Sequence, residues 1–160
     1  MEVNLQEITP ANLAPVLRCR VAEGQERFVA PNAESLAEAF VNPRLVPRAI
    51  YDGAMRGRNA TRDDPVRGFV MYQVWDEIGF VKRLMVGADD QGRGYGRAAM
   101  HEVLRRLERT PEVRRIATSY HHEAVGAKAL YTSLGFTRVL EVRGVETYVA
   151  LDWDPLTEWR

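Results

Sequence analysis

The sequence of 160 residues holds one cysteine, Cys19, so it can form no internal disulfide and no thiolate metal cluster. Its histidines number only three, and the adjacent pair His121-His122 has no third ligand at metal-site spacing, so no metal is expected. Net charge is also missing: 22 basic and 22 acidic residues cancel, which removes the bulk electrostatic case for binding nucleic acid or an anionic membrane. No apolar run reaches the length of a membrane span. The start Met1-Glu2-Val3-Asn4 lacks the basic-then-apolar order of a signal peptide, so a soluble cytoplasmic protein is the expectation. Repeats, low-complexity stretches and linkers are absent too. What remains, 46% hydrophobic and 28% charged, is ordinary globular composition, and residues 1–160 fit one domain with a core of its own.

Val3 to Ile8 alternates apolar and polar residues and reads as a strand. Thr9-Pro10 suits a helix start, with Leu13, Val16 and Leu17 at helical spacing. Pro31-Asn32 opens a second helix, whose buried stripe is expected to be Leu36, Ala39 and Phe40. Arg48–Tyr51 is a short strand. Residues 53–65 are rich in glycine, arginine and aspartate without periodicity, and are expected to be a mobile hairpin loop. Gly68–Trp75 and Ile78–Val86 are strands joined by a tight turn at Asp76-Glu77. Met100, Val103, Leu104 and Leu107 mark an amphipathic helix stopped by Thr110-Pro111. After the strand Arg115–Tyr120, Ala127, Leu130, Tyr131 and Leu134 repeat that spacing, with Gly135 as the stop. Two strands, about 136–141 and 146–152, close the chain. Short turns between strands argue for a mostly antiparallel sheet, while the crossover through the Met100 helix allows one parallel pair. The fold class expected is α/β in the broad sense (α+β): a mixed twisted sheet flanked by helices.

Between the strand ending at Val86 and the Met100 helix lies Gln91-Gly92-Arg93-Gly94-Tyr95-Gly96-Arg97. Alternate glycines let backbone approach a ligand, and a helix start offers free N–H groups and the positive end of its dipole, so an anion is the natural ligand. The spacing is neither a dinucleotide fingerprint nor a P-loop.

Gln91-x-x-Gly94-x-Gly96 resembles the acyl-coenzyme A signature of the GNAT superfamily of N-acetyltransferases. A second block, Ala127 to Phe136 with its Leu130-Tyr131 pair and Leu134-Gly135-Phe136 ending, is similar to the later motif of that family. Phe28–Asn32, Ala49–Tyr51 and Gly68–Tyr72 resemble the bacterial diamine and spermidine N-acetyltransferase branch.

The resemblance implies a GNAT-like domain, splayed at a central parallel strand pair, that binds acetyl-coenzyme A. Backbone groups of Leu84, Met85 and Val86 would meet the pantetheine arm and thioester. Gln91, Gly92, Arg93, Gly94, Tyr95, Gly96 and Arg97 would hold the pyrophosphate, and Lys128 is a further cofactor candidate. Tyr131 is the implied general acid, since a phenol stays protonated at neutral pH and can donate to a departing thiolate. Ala124 stands where the family commonly has an asparagine, so one polar cofactor contact is missing. Lys82 and Arg83 occupy the strand positions where eukaryotic relatives carry a carboxylate, so that base does not carry over.

The partner expected is a small-molecule primary amine, with a diamine or polyamine such as spermidine as the class the branch implies. Glu23, Glu26, Glu77 and Glu146 are the carboxylates proposed to meet it. An amino acid, an antibiotic amine or a protein N-terminus are alternative acceptors, and a non-catalytic acyl-coenzyme A-binding module is the alternative of another class. Trp153, Leu156 and Trp159 are candidates for packing on a second subunit, making a homodimer.

Overall fold

The computed structural model describes residues 1–153 as β1 (Val3–Gln6), α1 (Leu13–Arg18), α2 (Asn32–Val41), β2 (Val46–Asp52), β3 (Gly68–Trp75), β4 (Ile78–Val86), α3 (Tyr95–Glu108), β5 (Arg115–His121), α4 (Val125–Ser133), β6 (Arg138–Arg143) and β7 (Glu146–Ala150). All seven strands join one sheet in the order β1-β2-β3-β4-β5-β7-β6. Every neighbouring pair is antiparallel except β4 and β5, which run parallel through the α3 crossover. The mixed sheet expected from the turn lengths is the one observed.

Strand alternation sends residues to two cores, one on each face. Val70, Val81 and Ile116 meet α3 residues Met100, Val103 and Leu107 on one side. Phe69, Met71 and Met85 pack with Val16 beneath α1 and α2 on the other. Helix α1 is shorter than Thr9-Pro10 suggested, because Asn12 precedes its first turn and its side-chain oxygen accepts the Thr9 N–H at 2.8 Å. The stripe of α2 also differs: Phe40 is 90% exposed, whereas Asn32 and Ser35 are buried. Asn32 can sit inside because its amide donates to the Val16 carbonyl at 2.9 Å, tying α2 to α1.

Pairing between β3 and β4 slips by one residue: Met71 faces Arg83 but Tyr72 faces Val81, leaving Lys82 as a bulge. Consecutive strand residues ordinarily point to opposite faces. Here Lys82 and Arg83 both reach the Glu38 carboxylate on α2, at 2.6 and 3.0 Å. Burial works to raise the Glu38 carboxyl, but the Lys82 hydrogen bond and the two cations outweigh it and hold the group below its usual value.

The segment 53–65, expected as a mobile loop, is anchored at several points. Met55 and Ala60 are buried, and the Gln6 side chain bonds both the Arg58 carbonyl (3.0 Å) and the Ala60 N–H (2.7 Å). Hydrogen bonds from Arg58 and from the Thr61 N–H hold the Asp64 carboxyl down to about 2. Trp153 packs against the α3-side core, while Leu156 and Trp159 lie outside the described residues.

Candidate active site

Strands β4 and β5 pair only from Ile78/Arg115 to Val81/Thr118. Beyond that point β4 continues to Val86 beside β3 alone, and β5 continues to His121 beside β7. The two strands part, and the main-chain groups that would have joined them are left open to a cleft of about 1000 Å³. At the point of parting, the Thr118 hydroxyl donates to the Val81 carbonyl at 2.9 Å, which closes the ladder. Leu84, Met85 and Val86 line the cleft, with Met85 buried and the other two half-buried, so their side chains pack while their backbone faces open space.

The glycine turn forms the upper wall. Gly92 and Gly94 take φ of 72° and 93°, a left-handed conformation that glycine adopts without a Cβ clash. Gly94 is the N-cap of α3, and the Ala98 N–H is the first to return to its carbonyl, at 3.0 Å. The N–H groups of Tyr95, Gly96 and Arg97 precede any intrahelical acceptor and stand at the positive end of a 14-residue helix. A Cβ built on Gly92 would meet nothing within 4 Å, so this backbone is open to a ligand. That arrangement fits a pyrophosphate; Arg97 also lines the cleft, and its guanidinium donates to the Ser133 hydroxyl at 2.7 Å. A Gly94→Val substitution forces a left-handed β-branched residue there, at about 1–2 kcal/mol, and distorts the turn that presents those donors. Calorimetry of coenzyme A binding is expected to show affinity lower by at least about tenfold; unchanged affinity would place the pyrophosphate elsewhere.

Not every expected cofactor residue reaches the cleft with its side chain. Arg93 turns away to pair with Asp90 at 2.6 Å and lies over the Tyr95 ring. Tyr95 is buried, and its hydroxyl donates to Asp52 at 3.1 Å, pinning α3 to the end of β2. Gln91 lines the cleft, yet its amide is spent on Gln25 (2.7 Å) and the Val86 carbonyl (3.1 Å), holding the α1–α2 connection against the turn. Lys128 is exposed and outside the cleft lining.

Tyr131 lies deep in the cleft, 5% exposed, edge-on to Phe136 and tilted against Tyr120. Burial pushes its hydroxyl up to about 12; the Thr118 side chain pulls the other way and the Glu146 carboxylate adds a smaller upward push. Ile116, Thr118 and Tyr120 share the α4 face of β5, so Tyr131 approaches the strand gap from that side.

Ser119 and His121 take the opposite face. With Phe80 and Tyr148, whose rings stack at 6.1 Å, and with Glu146, they floor the second half of the cleft. The α1–α2 connection walls it through Glu26, Arg27 and Phe28, and Glu34 of α2 completes it. Two expected carboxylates are not brought here. Glu23 is exposed and off the lining, and Glu77 sits in the β3–β4 turn, its carbonyl accepting the Arg114 N–H at the far end of the strand pair.

The strand expected over Arg115–Tyr120 stops one residue short of His121. Instead His121 ends β5, 8% exposed, and the two rings stack at 4.8 Å because the chain turns immediately after the strand. The His121 Nδ1 accepts the Glu123 N–H at 3.1 Å, and its ring lies 5.1 Å from Phe28. Phe28 lay in a stretch already noted for resemblance. Extending the β5 alternation past Tyr120 was the signal that would have found His121. Ala124 is buried at the start of α4 and lines the cleft, so no side-chain amide is offered there. Cys19 is no nucleophile: burial, with the Asp90 charge, pushes its thiol up to about 11. Among the described residues no group of three or more His, Cys, Asp or Glu is placed to hold a metal, and no helix is long and apolar enough to cross a membrane.

A family model described as an acetyltransferase (GNAT) domain matches residues 57–138, just over half of the chain. No curated protein sequence matches. Solved structures do. An acetyltransferase from Thermus thermophilus superposes with a TM-score of 0.68 at 20% identity, covering 94% of this chain and 96% of that one. The ribosomal-protein-S18-alanine N-acetyltransferase from Escherichia coli superposes with a TM-score of 0.65 at 19% identity, covering 93% and 92%. The spermidine N-acetyltransferase from Vibrio cholerae, solved with coenzyme A and spermine, gives 0.67 at 14% identity, covering 97% and 98%. At these identities the structural likeness concerns the fold.

Proposed function

The chain belongs to the GNAT acetyltransferase family, whose co-substrate is acetyl-coenzyme A, and from that premise we propose that it acetylates a primary amine of a small cationic molecule, of the diamine or polyamine class. The observation that carries this reading is the parting of β4 and β5: a buried, protonated phenol, Tyr131, enters the gap from one face, and the carboxylates Glu26, Glu34 and Glu146 line the other. None of those three is ion-paired to a cation among the described residues, so their charge is available to a cationic acceptor.

Bound acetyl-coenzyme A supplies an acetyl group activated as a thioester. The N–H groups of Tyr95, Gly96 and Arg97, with the Gly92–Gly94 backbone, would hold its pyrophosphate, and the freed main chain of Leu84–Val86 would orient the thioester carbonyl. Main-chain donors suit that task because they are already oriented before charge develops on the oxygen. Tyr131 donates its proton to the departing sulfur. The acceptor nitrogen arrives from the Phe28, Phe80 and Tyr148 side, so both substrates occupy the cleft together and no enzyme nucleophile is needed.

A second acceptor class has one observation in its favour. Lys82 and Arg83 also line the acceptor half and share a single carboxylate, Glu38, which leaves one positive charge over. That surplus suits an acceptor bearing a carboxylate, such as an amino acid or a peptide N-terminus. Thiol release from acetyl-coenzyme A, followed across a panel of diamines, polyamines, amino acids and N-terminal peptides, separates the two. Turnover highest with diamines or polyamines is the expected result; preference for zwitterionic acceptors would move the assignment to the second class.

A further inference from the structure

Among the carboxylates of the acceptor half, Glu146 differs from the rest in where it stands. Glu26 is exposed and accepts the Gly24 N–H at 2.8 Å. Glu34 is exposed in the first turn of α2, where the helix dipole already favours a negative charge. Glu146 is half-buried at the start of β7, directly opposite His121 on β5. Opposed residues share a face of the sheet, so Glu146 and His121 line the cleft side by side. It is also the carboxylate whose charge acts on the Tyr131 hydroxyl across the strand gap.

The groups around it leave Glu146 without a fixed partner. Arg143 is its cross-strand neighbour on β6 but is paired to Glu141 at 2.9 Å and lies over the Tyr148 ring. Arg27 is paired to Glu123 at 3.0 Å, and Lys82 and Arg83 are held by Glu38. The His121 Nδ1 lone pair is taken by the Glu123 N–H, so a neutral His121 carries its proton on Nε2 and has no lone pair left to offer. Among the described residues, a half-buried carboxylate without a cation therefore lines the same cleft as Tyr131.

Resting on the acetyl-transfer reading above, we infer that Glu146 is the proton acceptor of the reaction, with the aromatic floor of Phe80 and Tyr148 holding the alkyl chain of the amine beside it. The proton balance is closed. An alkylammonium gives up one proton to solvent to become nucleophilic. Its nitrogen pair forms the new C–N bond, and Glu146 takes the second proton as that bond makes the nitrogen acidic. The C–S pair leaves with the sulfur, which takes the Tyr131 proton. Glu146 then releases its proton to solvent, Tyr131 regains one from solvent, and one proton is released per turnover. His121 acts through position alone, keeping Nε2–H on the same face as the carboxylate.

The test compares wild type with Glu146→Gln and Glu146→Ala, using the best amine of the panel between pH 6 and 10. Glu146→Gln is expected to lower kcat about 10–100-fold at neutral pH, with a smaller change in KM and unchanged coenzyme A affinity. Added formate is expected to restore part of the Glu146→Ala rate, because a diffusible carboxylate can take the same proton; a merely structural role would give no such rescue. Glu146→Gln with wild-type kcat, or a loss confined to KM with no formate rescue, would overturn the inference and leave acetyl transfer standing. Absence of thiol release by wild type with every amine would overturn both.

Discussion

Replacing Tyr131 by phenylalanine is expected to lower kcat about a hundredfold while leaving coenzyme A affinity unchanged. The hydroxyl is buried in the strand gap, and burial raises it to about 12, so it remains protonated at any pH at which the enzyme works. A thiol ionises near 8.5, so the departing thiolate is stabilised by a donor that does not itself dissociate. Phenylalanine keeps the edge contact with Phe136, at 5.8 Å, and the tilted contact with Tyr120, so the loss is chemical and not structural. Full turnover in Tyr131→Phe would remove the acid role. Stability gives a second readout. The folded value is raised above the unfolded value near 10, so the contribution is complete below pH 10 and is lost as pH rises through 12. It amounts to about 2–3 kcal/mol at most. Alkaline denaturation of Tyr131→Phe should lack that component.

Gly68→Ala is expected to cost about 3 kcal/mol of folding stability, although one methyl group is all it adds. Gly68 lies between Ile50 and Val86 in the sheet, and its added Cβ would stand 2.3 Å from the Met85 carbonyl oxygen and 3.1 Å from Ile50 Cδ1. The nearest obstacle is main chain, which cannot rotate aside. Relief comes only by moving Met85–Val86, the stretch that leads into the glycine turn, so the KM for acetyl-coenzyme A is expected to rise with the loss of stability. Gly126 is the control: it is helical, and a Cβ there meets nothing within 4 Å, so Gly126→Ala is expected to be neutral or stabilising by up to about 1 kcal/mol. Urea denaturation of the two variants decides the matter; equal midpoints would show that the sheet yields at Gly68.

Where sequence and structure agree, the signal was periodic or belonged to the backbone. Met100, Val103, Leu104 and Leu107 are all buried on α3, and the strands from Gly68 to Val86 end within a residue of their expected bounds. Where they differ, a side chain had a choice that spacing does not encode. Phe40 matched an apolar stripe, yet the inner face of α2 is taken by Asn32, which α1 satisfies with a carbonyl. Arg93 stood beside the glycines, but Asp90 is three residues away and claims it. Glu77 was plausible by charge alone and was carried to the far end of the strand pair by a turn.

By itself the sequence determined the order of elements and the glycine turn that walls one half of the cleft, because the conformation of a glycine turn feeding a helix is set locally. Tyr131 belongs there too, one helix register away from its motif neighbours. Only the tertiary structure decided the other half. Phe28, Phe80, His121 and Glu146 come from four separate parts of the chain and meet because β7 inserts between β5 and β6 and the α1–α2 connection folds over the gap. The bulge at Lys82 is of the same kind: it accompanies a one-residue slip against β3, and two consecutive strand cations meet one α2 carboxylate.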